Sequence, residues 1–105
     1  MPASSQREHI WQLIAAIPAG KVATYGQIAR LSGLPGHARH VGTTLKNLPP
    51  DSRLPWHRVI NAQGRLSFPT GSEAYLTQKH RLETEGIVFV GERVCLQRQQ
   101  WDASV

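Results

Sequence analysis

Apolar residues recur at helical spacing in the first half of this chain and in short clusters in the second. Ile10, Trp11, Leu13, Ile14 and Ile17 follow Ser5-Gln6-Arg7-Glu8, a stretch with capping-box spacing, and predict a first helix. Pro18-Ala19-Gly20 should end it. Thr24-Tyr25-Gly26-Gln27 repeats the capping spacing and opens a shorter helix with Ile28, Ala29 and Leu31, stopped by Gly33. Beyond the break at Leu34-Pro35-Gly36, a third helix is predicted from His37 to Asn47. Its apolar residues Ala38, Val41, Leu45 and Leu48 fall in one narrow sector, while Arg39, Thr43, Lys46 and Asn47 fall opposite.

After a proline-containing loop from Leu48 to Leu54, the rhythm shortens. Arg58-Val59-Ile60 and Leu66-Ser67-Phe68 read as short strands flanking the turn Asn61-Ala62-Gln63-Gly64, which would form a wing. A helix from Ser72 to Glu85 carries Ala74, Tyr75 and Leu82 and stops at Gly86. Ile87 to Val90 and Val94 to Leu96, separated by Gly91-Glu92-Arg93, suggest a terminal hairpin. The expected fold class is α-rich with a small β wing, a winged helix-turn-helix. On periodicity alone, the two short helices with a cationic outer face fit either a DNA-reading motif or an ordinary helical hairpin with a solvated face.

Composition narrows the choice. At 105 residues the chain has room for one domain, residues 1–105, with neither repeats nor a linker. Twelve Lys+Arg against seven Asp+Glu give a formal charge of +5, which favours phosphate as a partner. Cys95 is the one cysteine, so no intramolecular disulfide can form, and its place in a strand predicts a small buried apolar residue. The polar start, Met1 to Arg7, has no signal-peptide core, and no apolar run is long enough to span a bilayer. An intracellular, cytoplasmic monomer without membrane contact is expected. His37 and His40 are three apart, but no companion ligand stands at metal-binding spacing, and neither metal nor cofactor is expected.

Several runs together carry a more specific message. Ile17-Pro18-Ala19-Gly20-Lys21-Val22, Thr24 to Ala29, Ala38-Arg39-His40-Val41-Gly42, Pro55-Trp56-His57-Arg58-Val59-Ile60 and Glu83-Thr84-Glu85-Gly86 resemble, in order and spacing, the C-terminal DNA-binding domain of O6-alkylguanine-DNA alkyltransferases. Those enzymes have a cysteine in Pro-Cys-His-Arg where this chain has Trp56. The chain is therefore most similar to the alkyltransferase-like proteins, which bind alkylated guanine in DNA without repairing it and are linked to nucleotide excision repair. A thiolate is a strong nucleophile, whereas an indole offers a flat apolar face and one N–H donor.

The resemblance implies a role for each matched residue. Tyr25 would stand at the phosphate 3′ to the lesion and help rotate the nucleotide out of the stack. Arg39 would fill the gap left by the flipped base, with Gly42 and Thr43 letting the helix approach closely in the minor groove. Charge, not the resemblance, makes Lys21, Arg30, Lys46 and Arg65 candidates for phosphate contacts, with Lys46 the one expected to make it, while the basic run Lys79-His80-Arg81 reads as a solvated helix face. Trp56 would line the lesion pocket, and the Val59 carbonyl would accept from the guanine amino group. The loop Phe68 to Ser72, including Thr70, would close the opposite wall, although it departs from the family's glycine-rich pattern there. Pro55, His57, Arg58 and Glu85 would support the pocket, the His–Glu relay having no thiol to activate. The implied partners are double-stranded DNA containing O6-alkylguanine and the damage-recognition proteins of nucleotide excision repair. Two further readings stand beside this one: a winged-helix regulator of undamaged DNA, and an active alkyltransferase or glycosylase, the former using Cys95.

Overall fold

The computed structural model describes residues 3–49 and 52–103, with the side chains of residues 3–5 outside that description. Helix α1 spans Ala3–Ala16, so the backbone is already helical at Ser5; the expected cap there gives way to an earlier start, and its side chain lies outside the described residues. Ile10, Ile14 and Ile17 are fully or almost fully buried, as their spacing requires.

Strand β1, Ala23–Thr24, leads directly into α2, Tyr25–Leu31. Thr24 caps α2, its hydroxyl accepting from the Gln27 amide at 3.0 Å. Helix α3 covers Ala38–Lys46, flanked by His37 and Asn47 as the spacing predicts. Val41 is buried on its apolar face, and Thr44 joins it by donating its hydroxyl to the His40 carbonyl at 2.9 Å. α2 and α3 pack closely on one another and on α1.

The second half departs more from expectation. Trp56–Arg58 form a single 3₁₀ turn, not the start of a strand. Strand β2, Val59–Ile60, pairs in parallel with β1, Ala23 opposite Val59 and Thr24 opposite Ile60. Leu66–Phe68 form no strand against it: Leu66 is buried in the core, whereas Ser67 and Phe68 are exposed. The wing is thus a turn carried on β2. Asn61 organises it, its side-chain oxygen accepting from the Gln63 and Arg65 amides at 3.0 and 2.9 Å. Gly64 is required there. Its φ is +79°, and a Cβ would lie 2.5 Å from the Val94 carbonyl oxygen.

Helix α4 spans Glu73–Thr84, with the Ser72 hydroxyl accepting from the Tyr75 amide. The terminal hairpin forms as two antiparallel two-residue strands, β3 (Phe89–Val90) and β4 (Arg93–Val94). The chain then turns into a short helix, α5, Leu96–Gln99. Cys95 precedes it and is exposed, contrary to the buried position expected of a strand residue.

Two apolar clusters hold these parts. Ile10, Ile14, Ile17, Ala23, Ile28, Ala29, Val41 and Val59 join α1, α2 and α3 to the small parallel sheet. Val22, Ile60, Leu66, Tyr75, Leu82, Ile87 and Val94 join that sheet to α4 and the hairpin. The C-terminal segment runs beside β1, with the Trp101 amide donating to the Val22 carbonyl at 2.6 Å. Buried Gln27 secures it, donating to the Trp101 carbonyl and accepting from Gln100, both at 2.7 Å. The result is an α-rich winged helix-turn-helix with a small β component.

Candidate nucleic-acid interface and lesion groove

An open groove of about 1280 Å³ runs between α3, the 3₁₀ turn, the wing and the first half of α4. Tyr25, Arg39, Gly42, Thr43, Lys46, Trp56 and Val59 all line it. Residues expected to act together from three separate stretches therefore share one surface. The polar face of α3 supplies exposed Arg39, Thr43 and Lys46, and its apolar margin supplies half-buried Ala38 and Leu45. Gly42 has open space where a Cβ would stand, so no contact within the protein calls for a glycine. Its small size leaves the helix surface open to a close-fitting partner.

Tyr25 begins α2 half-buried, and its hydroxyl accepts from Ser67 Oγ at 3.1 Å, which ties the helix pair to the wing. Phe68 continues the wing wall and meets Trp56 edge-on, with ring centroids 6.2 Å apart. Trp56 is half-buried. The Arg81 guanidinium lies 5.4 Å from its ring centroid, within cation–π range. Thr70 is exposed and is not part of the lining. Residues 69–72 close as a turn that caps α4, leaving the wall to Phe68 and to Glu73, Ala74, Thr77 and Gln78 of α4.

No sequence motif marks Gln78, which lies between Tyr75 and Leu82 on the buried stripe of α4. It is 2% exposed, and its Nε2 donates to the carbonyls of His57 and Val59 at 3.1 and 3.2 Å. The Val59 carbonyl thus carries a hydrogen bond from α4. A polar residue recurring at apolar spacing was the available signal.

Behind Trp56 the support residues form a strut. Glu85 caps the end of α4 and accepts from Arg58 Nε and Nη2 at 2.9 and 2.6 Å, while its Oε2 lies 2.9 Å from His57 Nε2. Arg58 Nη1 donates onward to the Ile17 carbonyl at 2.8 Å, joining α4 to the end of α1. The Arg58 guanidinium, aided by His57, pulls the Glu85 carboxyl down to about 2 against the opposing effect of burial. Burial lowers the His57 pKa despite the attraction of Glu85. Neutral His57 accordingly donates through Nε2 to an ionised Glu85, leaving Nδ1 bare, buried and without a partner. Pro55, His57 and Arg58 face a second, smaller cleft and do not line the groove.

Among the described residues no group of three His, Cys, Asp or Glu side chains could hold a metal ion, and Cys95 does not line the groove. Nor is any described helix long and apolar enough to cross a membrane.

Residues 5–87 match the family model of the 6-O-methylguanine DNA methyltransferase DNA-binding domain. A DNA base-flipping protein of Vibrio parahaemolyticus is 49% identical over 93 residues, covering 88% of this chain and 91% of that protein. Alkyltransferase-like protein 1 of Schizosaccharomyces pombe is 47% identical over 78 residues, 74% of this chain and 72% of its own length. The crystal structure of S. pombe Atl1 with damaged DNA containing O6-carboxymethylguanine superposes with a TM-score of 0.86 at 37% identity, covering 97% of this chain and 99% of that one.

Proposed function

The chain belongs to the family of the 6-O-methylguanine DNA methyltransferase DNA-binding domain, among its alkyltransferase-like members, and on that premise we propose that it is a non-enzymatic sensor of O6-alkylguanine in duplex DNA. The observation that carries this reading is the convergence of Tyr25, Arg39 and Trp56 on one open groove. α3 enters the minor groove, Arg39 takes the space of the flipped nucleotide, and Tyr25 bars its return. The extruded base is received against Trp56, with the Val59 carbonyl as an acceptor for its amino group. Gly42 and Thr43 allow the close approach, and Lys46 neutralises phosphate. An alkylated guanine pairs poorly, so its extrusion costs less than that of a normal base, and this difference itself confers selectivity.

No alkyl transfer accompanies binding in this reading. Trp56 occupies the place where the resemblance puts a thiol, and the chain's one cysteine lies outside the groove. His57, with Glu85 and Arg58, instead braces the 3₁₀ turn. The single domain, residues 1–105, works as an intracellular monomer that keeps the lesion exposed and bent for the damage-recognition proteins of nucleotide excision repair. Incubation with radiolabelled O6-methylguanine duplex tests the absence of chemistry. All label should remain in intact DNA; label on the protein, or a released base, would contradict the proposal.

A further inference from the structure

The second cleft, of about 560 Å³, lies across the Ser52–Arg58 segment from the groove. Its cationic lining is Arg53, Arg58 and Arg81, beside His57, and its apolar lining includes Leu54 and Pro55. No acidic side chain lines it among the described residues. Arg58 is committed to Glu85 and the Ile17 carbonyl. Arg53 and Arg81 have no carboxylate partner among the described residues, whose ion pairs both involve Glu85. Two guanidiniums with uncommitted donors therefore border one concavity, the arrangement that recognises a carboxylate or phosphate.

The apolar lining distinguishes between these ligands. Leu54 and Pro55 stand beside the arginines, so a peptide can bring both a carboxylate for the guanidiniums and an aliphatic neighbour for the apolar wall. A DNA phosphodiester brings only the anion. Placement agrees: no residue of α2 or α3 lines this cleft, whereas α3 forms one wall of the groove.

We propose that this cleft is a docking site for an acidic peptide segment of a partner protein, a glutamate or aspartate with an aliphatic neighbour, seated between Arg53 and Arg81 against Leu54 and Pro55. The site does not depend on lesion binding. It adjoins the groove through Ser52, which lines both, and through Arg81, which lines the cleft and lies over Trp56.

The test is fluorescence anisotropy of the full chain with a fluorescein-labelled peptide of alternating glutamate and leucine, beside its glutamine–leucine counterpart. Arg53→Glu removes an exposed cleft charge, and Arg98→Glu makes the same charge change at an exposed position outside both cavities. Arg53→Glu should weaken the acidic peptide at least ~10-fold and Arg98→Glu less than about twofold, the peptide staying bound when O6-methylguanine duplex is added. Equal losses in the two variants, equal binding of the glutamine peptide, or displacement by the duplex would overturn the site. So would a plain duplex weakened more by Arg53→Glu than by Arg98→Glu, since the cleft would then take DNA phosphate. The peptide arms use protein without DNA, so their failure is distinct from a failure of lesion sensing.

Discussion

The groove and the strut behind it are built on opposite principles, although the same short segment contributes to both. In the strut the charged groups are engaged: Glu85 takes three contacts, and Arg58 uses Nε, Nη1 and Nη2. In the groove Arg39 and Lys46 are exposed, Tyr25 packs half-buried on the core and bonds Ser67, and Trp56 is held by a few ring contacts. Rigid polar connections fix where the wall stands, while the surface left for a ligand stays accessible. On the proposed function, a His–Glu pair that would serve chemistry beside a thiol serves geometry beside an indole.

The largest effect should come from breaking the strut. Glu85→Ala strands a half-buried guanidinium and should cost about 2–4 kcal/mol of stability, measured by urea unfolding. Where still folded at low temperature, the variant should bind lesion duplex within about threefold of wild type, a difference under 1 kcal/mol. A much larger affinity loss in folded protein would mean that the strut also takes part in binding.

Acid should act on the same region in two stages. The folded pKa of His57 is depressed by burial, so its contribution is present above the ordinary 6.5 and is lost as pH falls through the lower folded value. Glu85 contributes fully above its ordinary 4.5, and that contribution fades as pH falls towards about 2. Stability should therefore decrease on acidification in both windows, and Glu85→Gln should abolish the lower one. A flat profile below pH 4.5 in wild type would contradict the paired carboxylate.

Smaller losses are expected from the groove, and these should appear chiefly in affinity, with Arg39→Ala leaving stability little changed. Arg39→Ala and Tyr25→Ala should each weaken lesion duplex by about 2 kcal/mol, roughly 30-fold, in a binding titration. Trp56→Ala should cost about 1–2 kcal/mol on the lesion duplex through lost stacking, with undamaged duplex nearly unaffected. Equal losses on both duplexes would recast Trp56 as a packing residue.

The sequence was most legible where structure is local. Thr24 and Ser72 cap the helices they precede because a hydroxyl and an amide three residues on suffice, and α3 ends at Lys46, within a residue of its expected bound. Strand β1 was illegible, being two residues long and paired with Val59 and Ile60 far along the chain. Leu66–Phe68 form no strand beside β2: the Val59 carbonyl takes the Gln78 amide of α4, and the Gly64 carbonyl is bonded to the Val94 amide. Among site residues, Tyr25, Arg39 and Trp56 were legible through family resemblance. Gln78, Phe68 and Arg81 acquire meaning only once α4 and the wing are folded against the 3₁₀ turn.

The central claim, that this groove reads damaged DNA, is tested most directly by competition between matched duplexes with and without one O6-methylguanine. The lesion duplex should compete at least ~10-fold better, about 1.4 kcal/mol. Equal competition would contradict lesion reading and would mark the chain as a binder of undamaged DNA.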